Sequence, residues 1–150
     1  MWGTILNFDP LSSTTAREAI MKTPKKDVII PEGGAKPLAP YSPGIRFENL
    51  VYTSGQLGLD PLTGELITSS IEDETRQALV NLSKILEAAG SSLDNALKIT
   101  VYIKDIEDYA RINAVYGEFF DSDPPARAII QGLLPAGASV EFDAVAFVAG

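Results

Sequence analysis

The chain has 150 residues, 45% hydrophobic and 21% charged, a size and balance that fit one globular domain with a sizeable core. A net charge of −8, with Lys25-Lys26 as the only basic pair, argues against nucleic acid and anionic membranes as partners. There is no cysteine and no histidine, which excludes disulfides, thiol chemistry, histidine triads and Cys/His metal sites and leaves catalysis to carboxylates, Tyr, Lys, Arg, backbone amides or water.

No apolar run approaches the roughly 20 residues of a membrane span, and the N-terminus lacks the pattern of a secretory signal. A cytoplasmic protein is expected. Residues 1–24 read as an N-terminal extension, either a weakly ordered tail or a short helix from Ser12 or Ser13 to Met21. Residues 25–150 read as a single domain.

Residues 27–31 (DVIIP) predict a first strand, stopped by Pro31. Residues 32–44 are a Gly- and Pro-broken loop that carries Tyr41. Residues 45–56 predict two strand pieces around a Glu48-Asn49 turn and end in Ser54-Gly55-Gln56. Ser69 and Glu72 match a capping box. Ala78, Leu79, Leu82, Ile85, Leu86 and Ala89 then recur at helical spacing up to a Gly90 stop. Residues 97–105 alternate, with Leu97, Ile99, Val101 and Ile103 on one face. A second helix is predicted from an Asp105 cap to about Phe120, with Tyr109, Ile112, Tyr116, Phe119 and Phe120 inward. Residues 126–132 and 139–148 predict the last two strands.

Two helices cover only one face of such a sheet. The other face, which includes Tyr102, Val145 and Phe147, is too apolar to remain in water. Burial against further copies of the chain is expected.

Arg127 heads an apolar strand, and Glu141 follows fourteen residues later. A guanidinium among apolar residues needs an anion or water. Arg127 is thus either half of an ion pair with Glu141 or Asp143 on an adjacent strand, or a bidentate clamp for a small carboxylate. Glu141 and Asp143 share a face; they form an acidic stripe or hold a water. Tyr41 packs between prolines or offers its hydroxyl to a ligand. Asn113 shares the aromatic face of the second helix, so its amide either ties down a loop or lines a pocket. No phosphate-loop motif and no metal-ligand cluster is present.

The segments PYSPGIRFENLVYTSGQLGLDPLTGEL, ALVNLSKILEAAGSSLDNALKITVYIKDIEDYARINAVYGEFF, PPARAIIQGLLP and VEFDAVAF together resemble the Rid family (reactive intermediate deaminases, YjgF type) over about residues 27–148. The resemblance implies a chorismate-mutase-like α+β fold: a roughly six-stranded mixed sheet with two helices on one face, assembled as a trimer with a central barrel and intersubunit clefts. It implies cofactor-independent hydrolysis of 2-imino or enamino acids, such as 2-iminobutanoate and 2-iminopropanoate, to 2-keto acids and ammonia. Arg127 is the implied carboxylate clamp and Glu141 the residue that activates water. Tyr41, Ser54, Gly55, Gln56, Asn113 and the main chain at Ile129 are the implied ligand contacts. Ile129 stands where many members have cysteine, and the segment from Arg127 to Pro135 is one residue shorter than in some members. Two other readings use the same residues. One is a non-catalytic, regulatory trimer that binds small carboxylates; the other is a specialised enamine deaminase of the 2-aminomuconate type.

Overall fold

The computed structural model describes residues 25–33, 39–120 and 122–150. The N-terminal extension, and the helix expected within it, lie outside the described residues. Seven strands form one mixed sheet: β1 (Asp27–Ile29), β2 (Gly44–Phe47), β3 (Leu50–Thr53), β4 (Gln56–Leu57), β5 (Ala96–Ile103), β6 (Ala126–Gln131) and β7 (Val140–Phe147). Two helices, α1 (Ile71–Ala88) and α2 (Tyr109–Phe119), flank β5 in the chain. The sheet order is β1-β2-β3-β7-β5-β6, with β4 also paired to β7. Among the described strands only β5 and β6 pair in parallel, because the α2 crossover joins them.

Strand register decides which face each residue takes. Val51, Ile99, Val101, Ile103, Val140, Phe142, Ala144 and Ala146 are buried beneath the helices with Leu79, Leu82 and Leu86 of α1. A cross-strand row on the opposite face runs Val28, Ile45, Tyr52, Val145, Lys98. A second row is Phe47, Leu50, Phe147. Val28 and Tyr52 are 54% and 47% exposed, so no element among the described residues covers this face. Among the described residues the expectation of an uncovered face including Tyr102, Val145 and Phe147 holds.

The start of α1 differs from the predicted capping box by one residue. Ser70 is the cap, accepting from the Asp73 amide at 3.1 Å, while Ser69 donates to the Asp73 carboxylate. Glu72 is free to bind Arg111 of α2 at 2.7 Å instead. At the far end, Gly90 takes φ 80°, and Ser91 donates to Leu86 O, closing the left-handed stop predicted there. Leu97 does not join the buried face. A register shift between Ala96 and Lys98 turns it outward and puts Ala96 inside. Asp105 caps a 3-10 turn (Ile106–Asp108) rather than α2 itself. The buried residues of α2 are Ile112, Val115 and Tyr116, and Tyr109 is 40% exposed.

Glu74 lies in the acidic first turn of α1, and nothing in its local pattern specifies its partners. Its side chain is buried and accepts from the Ser139 amide at 2.6 Å and the Val140 amide at 3.3 Å, tying α1 to the start of β7. Among the described residues no helix is long and apolar enough to cross a membrane.

Candidate active site

The predicted site residues fall into two groups. Arg127, on β6, is opposite Ile99 in the register and so lies on the helix side of the sheet. Glu141, on β7, is opposite Tyr102 and lies on the uncovered side. β5 separates the two strands. The expected ion pair between Arg127 and Glu141 or Asp143 is therefore absent: the strands are not adjacent, and the side chains leave opposite faces.

Arg127 rests on α2 instead. Its Nη1 donates to Asn113 Oδ1 at 2.9 Å and its Nη2 to the Tyr109 hydroxyl at 3.4 Å. The guanidinium carbon sits 4.7 Å from the centre of the Tyr116 ring, a cation–π contact. Tyr109, Asn113 and Tyr116 meet it because spacings of four and three residues return to one helix face. Asn113 is exposed, not buried as its place on the aromatic face suggested, and its carbonyl oxygen faces the arginine. All three neighbours are neutral. Among the described residues Arg127 has no carboxylate partner. Of its five N–H donors, Asn113 and Tyr109 engage one each.

A groove of about 400 Å³ opens beside the guanidinium, lined by Asn113, Tyr116, Gly117, Phe120, Pro124, Pro125 and Arg127. Its cation and apolar wall suit a small organic acid. The Tyr116 hydroxyl is buried with no hydrogen-bond partner among the described residues, and burial pushes that phenol up, opposed in part by Arg127. Ile129 lies on the helix side and packs against the core, outside the residues that line this groove. Tyr109 and Tyr116 were legible as one aromatic face, but nothing in the sequence pairs that face with Arg127.

The second group gathers where β4 meets β7, with Glu141 on the uncovered side and Gln56, opposite the buried Phe142, on the helix side. Between Tyr52, opposite Val145, and Gln56, opposite Phe142, the β3–β4 edge holds one more residue than β7, so the chain bulges at Thr53–Gly55. Thr53 Oγ1 accepts from the Ala144 amide at 2.9 Å. Ser54 donates through its hydroxyl to Ser42 O at 2.8 Å and through its amide to Pro43 O at 2.9 Å, which fastens the Tyr41 loop. Gly55 lies against the Glu141 carboxylate, so closely that a β-carbon there would overlap it. The Gln56 amide turns back to the carbonyl oxygens of Ser54 and Gly55. Tyr41 is 53% exposed beside this cluster. Glu141 is half-buried, and burial, with the nearby Asp143 charge, raises its carboxyl above the usual carboxylate range. Asp143, in turn, accepts from the Tyr102 hydroxyl at 2.9 Å.

Residues 33–148 match the family described as Endoribonuclease L-PSP. The chain belongs to this family, the Rid (YjgF) family. It is 43% identical to 2-iminobutanoate/2-iminopropanoate deaminase of Bos taurus, over 73% of this chain and 80% of that protein. It is 44% identical to a RutC family protein of Pyrococcus horikoshii, over 81% of this chain and 98% of that one. Among Rid structures, E. coli TdcF with bound serine superposes with a TM-score of 0.78 at 35% identity, over 82% of this chain and 99% of TdcF. The E. coli YjgF gene product superposes at 0.76 and 34% identity, over 81% and 98%. The α+β architecture of this chain is thus the Rid architecture.

Proposed function

We propose that this chain is a cofactor-independent deaminase of 2-imino and enamino acids, with 2-iminobutanoate and 2-iminopropanoate as its substrates. The observation that carries the reading is the Arg127 guanidinium, held by neutral groups at the mouth of a groove with no carboxylate of its own among the described residues. The deaminase names of relatives such as the Bos taurus protein support it.

The active assembly is a homotrimer with intersubunit clefts. A homotrimer would cover the apolar rows of Tyr52, Val145 and Phe147. It would also let the Arg127 group of one copy face the Glu141 group of the next. Those two groups, on opposite sides of the sheet, cannot meet within one chain. A chain without cysteine suits a reducing, cytoplasmic setting.

In this mechanism Arg127 fixes the substrate carboxylate, and Asn113 and Tyr109 hold its fork. Tyr41, Ser54, Gly55, Gln56 and the main chain at Ile129 complete the cleft. Glu141 takes a proton from water as the oxygen bonds to C2 and the C=N π pair moves to nitrogen. It returns the proton to that nitrogen. The hydroxyl proton of the adduct then passes by way of Glu141 to the same nitrogen, and the oxygen electron pair forms C=O as the C–N bond breaks, releasing ammonia and the 2-keto acid. Each tenfold of acceleration takes about 1.4 kcal/mol.

The test couples the full-length protein to a threonine dehydratase and follows 2-oxobutanoate formation. Acceleration by the wild type that is lost in Arg127→Ala supports the reading; an unchanged rate in Arg127→Ala overturns it. A second reading, a carboxylate-binding protein without turnover, is favoured by one observation: TdcF holds serine. Binding of 2-oxobutanoate without imine hydrolysis would establish that reading. The family description also carries a nuclease name, but a net charge of −8 does not suit an RNA backbone.

A further inference from the structure

Glu141 and Asp143 are neighbours on one face of β7, and Tyr102 of β5 stands directly opposite Glu141 in the ladder. A phenol in that position would be expected to serve Glu141. It reaches diagonally instead and donates to Asp143 Oδ2 at 2.9 Å. The tyrosine is pushed up, chiefly by this bond and then by burial, so it keeps its proton and remains a donor. Glu141 is left half-buried with no hydrogen-bond donor among the described residues, pressed against Gly55 on one side and placed near a fixed anion on the other.

The remaining surroundings add little charge. Leu57 of β4 is opposite Glu141, and Thr100 is opposite Asp143. On β6, Ile130 and Ala128 stand beside Tyr102 and Thr100. Tyr52 and Lys98 both pair with Val145, one position further along. Lys98 makes no ion pair among the described residues.

We propose that Tyr102 and Asp143 are a positioning pair for Glu141: the phenol fixes the Asp143 carboxylate beside Glu141, so that Glu141 retains the proton that the leaving nitrogen requires. This rests on the deaminase reading for its chemical use. The coupling of the three groups is measurable without it. Two like charges one strand repeat apart, roughly 7 Å, interact in water strongly enough to move a carboxyl midpoint by about half a pH unit.

The experiment is a carbon-13 NMR titration of labelled glutamate carboxyls in the full-length protein, with the Glu141 signal assigned by its loss in Glu141→Gln. Asp143→Asn should lower the Glu141 midpoint by about half a pH unit or more. Tyr102→Phe, which keeps the charge but frees its position, should lower it by less. The pH–rate limb of imine hydrolysis should move with the midpoint in each variant. Should Asp143→Asn fail to fold, Asp143→Ser is read in its place. A Glu141 midpoint that stays put, or rises, when Asp143 loses its charge overturns the pair. A wild type inert toward imines overturns the deaminase reading, while an Asp143-dependent midpoint in that same protein still supports the coupling.

Discussion

Gly55 lies so close to the Glu141 carboxylate that only the absence of a side chain leaves that carboxylate its place. The bulge at Thr53–Gly55 creates the contact by setting the glycine where the β3–β4 edge passes the acidic side chain. Gly55→Ala is predicted to displace Glu141, and because the overlapping atoms are the end of one flexible, half-exposed side chain the cost should be at most about 1 kcal/mol, the low end of the range for overpacking. Denaturant unfolding would give the stability loss, and the imine-hydrolysis rate should fall with it. Wild-type rate and stability in the alanine variant would contradict the crowding.

Arg127 depends on its planar fork. Arg127→Lys keeps the charge but loses the two-sided hold of Asn113 and Tyr109. Affinity for a 2-keto acid, measured by calorimetry, should drop about 10- to 100-fold, the equivalent of one charge-assisted hydrogen bond. Asn113→Ala should cost less, about 2- to 10-fold, since it removes one neutral acceptor. An Arg127→Lys variant that binds as well as wild type would refute the bidentate clamp.

The stability of the fold should carry a signature of Glu141. Its carboxyl is raised in the folded state, so its contribution is fully present below the ordinary glutamate value of about 4.3 and is lost as pH rises through the folded value. Glu141→Gln removes that loss. The melting temperature of Glu141→Gln relative to wild type should therefore be higher at pH 7 than at pH 4. A difference that does not change with pH would show that burial does not act on this group.

Glu74 predicts a different outcome for two substitutions. Glu74→Ala strands the Ser139 and Val140 amides at the start of β7. That should cost about 1–3 kcal/mol per unsatisfied group. Glu74→Gln keeps an acceptor oxygen and should retain most of the stability, as chemical denaturation would show. Equal losses in both variants would mean that the charge, not the acceptor, matters.

Much of the architecture is written in local periodicity. The alternation of Ile99, Val101 and Ile103, and the α1 stripe of Ala78, Leu79, Leu82, Ile85 and Leu86, give the buried faces directly, because a two-residue or 3.6-residue repeat fixes which side chains share a side. Leu97 breaks that reading. Its turn outward comes from a bulge against β7, a strand more than forty residues away in the chain. The capping box slips from Ser69 to Ser70 for a related reason: Glu72 finds Arg111 of the other helix.

Residue types and their order alone were enough to single out Arg127, Glu141 and Asn113 and to predict a sheet face left bare by two helices. Only the tertiary structure decided that Arg127 and Glu141 stand on opposite sides of that sheet, and that the arginine's partners are Tyr109, Asn113 and Tyr116. Chain order does not say that β5 inserts between β6 and β7. Strand order and register come from hydrogen bonds and packing between distant segments, and those interactions leave no repeat along the chain.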